Sequence, residues 1–151
     1  MRMGKTTALR RELKARFVPR LEADGFTLDE RDAPTFWIFR RASGASAHLF
    51  SVQWEKYGRP RFRVDVGSCP GDGLTLAGRH VEWQEMHPHW LPGVASLQPS
   101  TRFLSGGWFR QDRPWPLRFL GGSALRDPAE VVDDLLAGLP DVEAFWATGA
   151  N

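Results

Sequence analysis

The sequence predicts a single α+β domain in which an antiparallel sheet of about four to six strands lies between an N-terminal helix and C-terminal helices. Three observations support this fold: apolar residues repeat with a helical period near the N-terminus, three alternating segments follow, and a capped helix lies near the C-terminus. The 151 residues, 42% of them hydrophobic, suffice for one core. We expect residues 1–151 to form one domain because no linker rich in glycine or serine divides them.

The N-terminal helix is predicted by apolar residues at every fourth position, namely Leu9, Leu13, Phe17 and Leu21. Its expected end is Gly25, which can adopt a left-handed conformation and place Phe26 in the hydrophobic contact of a Schellman motif with Leu21. Pro19 lies inside the helix, where its missing N–H and its ring predict a kink near residues 15–19.

Three segments with β character follow, at residues 35–41, 47–56 and 61–67. Short turns separate them, so we expect an antiparallel meander. In the second and third segments apolar and polar residues alternate, which predicts one face in the core and the other in solvent. The first segment carries aromatic side chains on both sides and is expected to be covered on both faces.

The periodicity fades from residue 68 to residue 100, where four glycines and four prolines interrupt the chain. An irregular connection of this length is typical of a functional segment or of one that contains short elements. Strand character returns at residues 101–104 and 108–110, and again at residues 117–120.

The C-terminal helix has a well-defined start signal. Asp127 is a candidate N-cap, Pro128 takes the first helical position, and Glu130 follows three residues after the cap. Gly138 and Pro140 are expected to end this helix, and a short final helix follows.

Opposite charges are separated along the chain. Residues 1–20 contain seven basic residues and one acidic residue, whereas residues 127–151 contain six acidic residues and no lysine or arginine. This pattern predicts that the two ends lie close together, although each could instead face solvent or a different partner. The net charge of +2 is too small for a simple polybasic binder.

The sequence predicts a cytoplasmic protein with no membrane association. No stretch approaches the roughly 20 apolar residues of a membrane span, and the N-terminus lacks the apolar region of a secretory signal. The single cysteine, Cys69, cannot form an internal disulfide, which agrees with a reducing compartment.

A cluster of metal-ligand type lies within ten residues of the irregular segment: His80, Glu82, Glu85, His87 and His89. A metal-dependent enzyme would use His87 and His89 together with His80 or Glu85. The alternative is a solvated polar loop, because the spacing matches no known ligand signature. We predict no cofactor and no catalytic residue, since no nucleophile motif such as Gly-x-Ser-x-Gly occurs.

Arg59, Arg61 and Arg63 are expected to project to one side of the third strand, close to aromatic residues. Basic side chains interleaved with aromatic rings can follow a phosphate backbone while bases stack, so nucleic-acid binding is a second hypothesis. The alternative is that these arginines pair with Glu55 and Asp65 on the solvated face.

The leading hypothesis is a non-catalytic protein-binding domain, for example an immunity-type or accessory factor. It depends on the missing catalytic signature, the separated charge and the aromatic residues of the irregular segment. Trp83 and Trp90, with His87 between them, are candidate anchors for a protein partner, because exposed tryptophans often dominate binding energy.

Two N-terminal patterns carry a family resemblance. LKxxFxPxLxxxGF spans residues 13–26, and FxxxRR spans residues 36–41. Together with the aromatic second strand, they resemble a family of small bacterial proteins known only as a domain of unknown function. The resemblance implies a compact α+β domain and no established reaction, cofactor or catalytic residue; the immunity-type role is a fold-level analogy.

Overall fold

The computed structural model describes residues 4–99, 107–112 and 125–148. It has the predicted α+β architecture, with an N-terminal helix, an antiparallel six-stranded sheet and C-terminal helices. The helices are α1 (Thr7–Glu12), α2 (Val18–Ala23), α3 (Pro128–Ala137) and α4 (Leu139–Ala147). No helix in these described ranges is long and apolar enough to cross a membrane.

The main sheet has the order β1 (Thr27–Asp29), β2 (Phe36–Ser43), β3 (Ser46–Trp54), β4 (Arg61–Pro70) and β7 (Ala95–Leu97). A further strand, β8 (Phe109–Arg110), also pairs with β4, and all pairs are antiparallel. The three predicted strands are confirmed as β2 (Phe36–Ser43), β3 (Ser46–Trp54) and β4 (Arg61–Pro70). A short edge strand, β1 (Thr27–Asp29), had no sequence signal.

The irregular segment contains short elements, as its length predicts. They are the hairpin β5 (Leu74–Leu76) and β6 (Arg79–Val81), a 3₁₀ turn (Pro88–Trp90) and β7 (Ala95–Leu97). The strand expected at residues 108–110 is β8 (Phe109–Arg110). The strands expected at residues 101–104 and 117–120 lie outside the described residues.

The N-terminal helix ends as predicted. Gly25 has a φ of +93°, and the Phe26 and Gly25 N–H groups donate to the carbonyls of Leu21 and Glu22 at 2.9 and 3.0 Å, which is the Schellman pattern. In place of a simple kink, a π-helical turn (Leu13–Phe17) precedes Pro19. Because proline has no N–H and crowds the carbonyl four residues back, the helix widens before it.

One side of the sheet, called here the helix face, packs against the terminal helices. Its strand residues are the predicted core positions together with two from β2: Trp37, Phe39, Phe50, Val52, Trp54, Phe62, Val64 and Val66. Leu9, Leu13 and Phe17 pack on them from the N-terminal helix, and Val131 and Leu135 from α3. The alternation in the second and third strands therefore places the core correctly.

The oppositely charged ends of the chain meet, as their charge pattern predicts. α1 lies against α3, and Arg16 pairs with Asp133 and donates to the carbonyl of Ala129 at 3.3 Å. Asp127 caps α3 by accepting the Ala129 N–H at 2.9 Å, also as predicted.

The opposite side of the sheet, called here the loop face, differs from the expectation of a solvated surface. Ser51, Glu55 and Asp65 are all buried. Residues 82–92 fold back across this side and build a second core from Ala47, Leu49, Cys69, Met86 and Leu91. Gly67 permits this close approach, since a Cβ there would lie 2.6 Å from Cδ1 of Leu91. The prediction of one wet face was wrong because alternation cannot report a distant covering segment.

Candidate functional site

The covering segment is fixed to the sheet by one buried arginine. Arg40, on β2, is 8% exposed, and its Nε and Nη2 donate to the carbonyl of Met86 at 3.1 and 2.9 Å. Its Nη1 pairs with Oδ2 of Asp29 at 2.5 Å. The guanidinium groups of Arg31 and Arg40 hold the pKa of Asp29 well below its usual range. Charge-assisted bonds of this kind fix the backbone at Met86.

Two stacked histidines continue from this attachment. The ring centroid of His87 lies 4.9 Å from that of His89 and 4.7 Å from that of Phe36. Nδ1 of His87 accepts the His89 N–H at 3.3 Å. Burial, with a contribution from His89, lowers the pKa of His87 to about 4. The imidazole of His87 is therefore neutral at pH 7.

A buried carboxylate on β4 lies next to the 3₁₀ turn. Oδ2 of Asp65 lies 3.6 Å from Nε2 of His89, and the Ser96 hydroxyl donates to Asp65. Asp65 faces Ser96 across the β4–β7 pair. Before Trp90 the segment is therefore attached at Met86 and lies against Asp65 at His89, and directly after Trp90 it is anchored by Leu91, which is buried in the second core.

Trp90 projects from this fixed turn into solvent. Its side chain is 53% exposed, and its ring centroid lies 5.6 Å from that of His87. Val94, four residues further on, is also exposed. The arrangement presents an apolar side chain on a turn whose neighbouring residues contact the sheet.

The arginines of the third predicted strand reach the same side of the sheet. Cζ of Arg63 lies 4.5 Å, and Cζ of Arg61 4.9 Å, from the ring centroid of Trp108. Nη2 of Arg61 lies 3.7 Å from Oε1 of Glu55, in agreement with one of the predicted pairings. Arg59 precedes the strand, in the turn before β4.

Strand register connects these groups into one row at the uncovered end of the loop face. Phe36 lies opposite Gln53, and Gln53 lies opposite Arg63. His87 and His89 contact Phe36 at one end of the row, and Trp108 contacts Arg63 at the other. Four of the predicted site residues, His87, Trp90, Arg61 and Arg63, therefore lie on the same face.

The remaining candidates lie elsewhere. His80 is exposed on β6, with Nε2 3.0 Å from Oε1 of Glu82, and Glu85 pairs with Arg31 at 2.8 Å. Across the described ranges, no three histidine, cysteine, aspartate or glutamate side chains are grouped so that they could hold a metal ion. Trp83 is half-buried against the second core and offers less free surface than Trp90.

One cavity of the described part lies away from this row. It has a volume of about 600 Å³, at the far end of the helix face, and is lined by Arg41, His48 and Trp146 among others. Arg41 donates to the Asp24 carbonyl at 3.0 Å and pairs with Glu143 at 3.1 Å. The ring of His48 stacks on Trp146 with centroids 4.5 Å apart. The charged side chains that line this cavity, Arg41 and Glu143, are therefore already paired with each other.

Sequence reasoning did not identify Arg40, Asp65 or Trp108 as parts of this site. Only Arg40 had a usable signal, a charged residue directly after the apolar run of β2, where burial requires a partner. Comparison of the chain with protein-family models, with curated proteins and with solved structures finds no match. The family resemblance stays a prediction, and function has to be inferred from the geometry.

Proposed function

We propose that this protein is a non-catalytic protein-binding domain that uses Trp90 as its anchor. One observation carries the proposal: a tryptophan that is 53% exposed stands on a turn that is capped by His87 and preceded by the bond from Arg40 to Met86. Tryptophan is among the residues that most often dominate interface energies. A pre-ordered backbone lowers the entropic cost of association, so binding energy is retained.

The low exposure of most aromatic rings favours the protein-binding hypothesis over nucleic-acid binding. Base stacking needs a series of free ring faces. Among the described aromatic side chains, only Trp90 and Tyr57 are more than half exposed, and the ring of Trp108 is already in contact with two guanidinium groups. The exposed arginine Arg63 keeps single-stranded nucleic acid as the second candidate.

Affinity capture with matched variants tests the proposal. Immobilised wild-type protein, Trp90→Ala and Phe145→Ala are exposed to extract from the organism that encodes the chain, and any stoichiometric partner is purified and titrated. Trp90→Ala should weaken binding about 30-fold or more, since a hot-spot residue contributes at least about 2 kcal/mol. Phe145 is a half-buried aromatic residue that packs on the helix-face core, on the other side of the sheet, so its variant should bind normally.

Equal affinity of the Trp90→Ala variant for the purified partner would contradict the proposal. If the partner is an enzyme or a toxin, an immunity-type role further predicts that an equimolar amount of this protein inhibits it. An accessory role predicts binding without inhibition.

A further inference from the structure

We infer that the partner presents an acidic surface around the side chain that packs on Trp90. This inference rests on the proposed function and specifies the chemistry of the partner. It depends on three exposed cations, Lys56, Arg59 and Arg63, which we call the basic rim. They belong to the β3–β4 turn and to the loop face of β4, at the same uncovered end as the row that leads to Trp90.

The acidic residues near the basic rim are engaged elsewhere. The carboxylate of Glu55 points into the turn, where it accepts the N–H groups of Tyr57 and Arg59 at 2.8 and 3.1 Å. Asp65 is buried beneath His89 and Ser96, and Asp112 pairs with Arg110 at 2.7 Å. In the described part of the chain, no carboxylate lies within ion-pair distance of Lys56, Arg59 or Arg63.

The arginine above Trp108 can bind an anionic group such as a carboxylate. Arg63 places its guanidinium carbon 4.5 Å from the ring centroid of Trp108. A guanidinium that stacks on an aromatic ring uses its face and keeps the N–H groups of its edge available. Those edge groups match a carboxylate bidentately, and holding the guanidinium in place reduces the entropy lost on binding.

An acidic polypeptide fits this surface better than a nucleic acid. Both are anionic, but a nucleic acid would also need free rings for its bases. The ring of Trp108 is in contact with Arg61 and Arg63, and Nζ of Lys56 lies 4.9 Å from the ring centroid of Tyr57. Of the two described rings that are more than half exposed, this leaves Trp90 as the one without a cation over its face. One apolar anchor beside several cations matches an apolar residue flanked by aspartate or glutamate.

Selection of peptides identifies the chemistry that this surface prefers before the partner itself is known. Random 12-residue peptides are selected on immobilised wild-type protein and, in parallel, on Trp90→Ala. Peptides enriched only on the wild type should contain an aromatic or aliphatic residue and a net negative charge well beyond the mean of the library. The best peptide, labelled, is then titrated by fluorescence anisotropy.

The double variant Arg59→Gln/Arg63→Gln should bind this peptide about tenfold more weakly at low salt, because it removes two exposed ion pairs, each of which contributes modestly. Its affinity should also depend less on sodium chloride than that of the wild type. Arg79→Gln, which neutralises an exposed arginine on the distant β6 hairpin, is the matched control and should behave like the wild type.

The possible negative results distinguish the proposed function from the inference of an acidic partner. If the wild type enriches nothing beyond Trp90→Ala, the proposed function is wrong. If enriched peptides are neutral or basic, or if the double variant binds them normally, only the acidic-partner inference is overturned. Tighter binding of a labelled 12-nucleotide oligothymidine than of any selected peptide would overturn it in favour of nucleic acid.

Discussion

The two faces of the sheet are stabilised by different means. On the helix face, aromatic rings pack directly on one another, with the Phe17 centroid 5.7 Å from that of Phe39 and 5.4 Å from that of Phe50. On the loop face, a charged arginine attaches a covering segment, whose Met86 and Leu91 also pack in the small second core. Apolar packing is non-directional and tolerates adjustment, whereas polar attachment needs exact partners. The first provides stability, and the second holds a particular surface in place.

The largest effect is expected on the helix face, from Phe50→Ala. Phe50 is fully buried between Phe17 and Phe39, so its truncation leaves a cavity and should lower the free energy of unfolding by about 3–5 kcal/mol. Chemical denaturation measures this change. Phe36→Ala, which truncates a half-buried ring on the loop face, is the control and should cost clearly less. A similar loss for both variants would remove the distinction between the faces.

The second-largest effect at neutral pH is expected where residues 82–92 are attached to the loop face of the sheet. Arg40→Met should lower the free energy of unfolding by about 2 kcal/mol, because it leaves the carbonyl of Met86 without its two donors and removes one of the two guanidinium partners of Asp29. Hydrogen exchange should show lost protection at residues 82–92 while β3 keeps its own. Arg31→Met is the matched control: Arg31 also pairs with Asp29, but it is exposed, and its loss should cost less than about 1 kcal/mol. Unchanged protection at residues 82–92 in Arg40→Met would contradict this role.

A pH titration separates the histidines of the two faces. The pKa of His87 is about 4, below its ordinary value of 6.5, so the unfolded chain binds the proton first. Stability should therefore fall as the pH decreases from about 6.5 to about 4, by about 1.4 kcal/mol per pKa unit and on the order of 3 kcal/mol in all. His87→Gln should flatten this part of the stability curve.

The control for the titration is the histidine of the helix face. Burial also lowers the pKa of His48, so His48→Gln measures how much of the pH dependence belongs to that residue. The lowered pKa of Asp29 affects stability only in a more acidic range, below about pH 4. If His87→Gln keeps the full slope between pH 6.5 and pH 4, the polar network around His87 is not what the pH change disrupts.

Local signals predicted the helix face well, and long-range pairing explains why the loop face was missed. The Schellman motif at Gly25 and the cap at Asp127 depend on residues within a few positions, and alternation in β3 and β4 located the core. The bond from Arg40 to Met86 spans 46 residues. No periodic pattern encodes such a pairing, so the sequence indicated Trp90 as an anchor but not the groups that hold it.

The smallest effect is expected from Ser51→Ala. This variant tests whether every polar group of the loop face contributes to stability. Ser51 faces Asp65 across the β3–β4 pair, but its buried hydroxyl has no hydrogen-bond partner. Ser51→Ala removes an unpaired group and should change the free energy of unfolding by less than about 0.5 kcal/mol, or raise it slightly. Ser96→Ala, which removes the hydroxyl that donates to Asp65, should cost about 1 kcal/mol in the same denaturation experiment. If Ser51→Ala is the more costly of the two, the Ser51 hydroxyl has a partner in solution, and the loop-face network extends one strand further towards β2 than these contacts show.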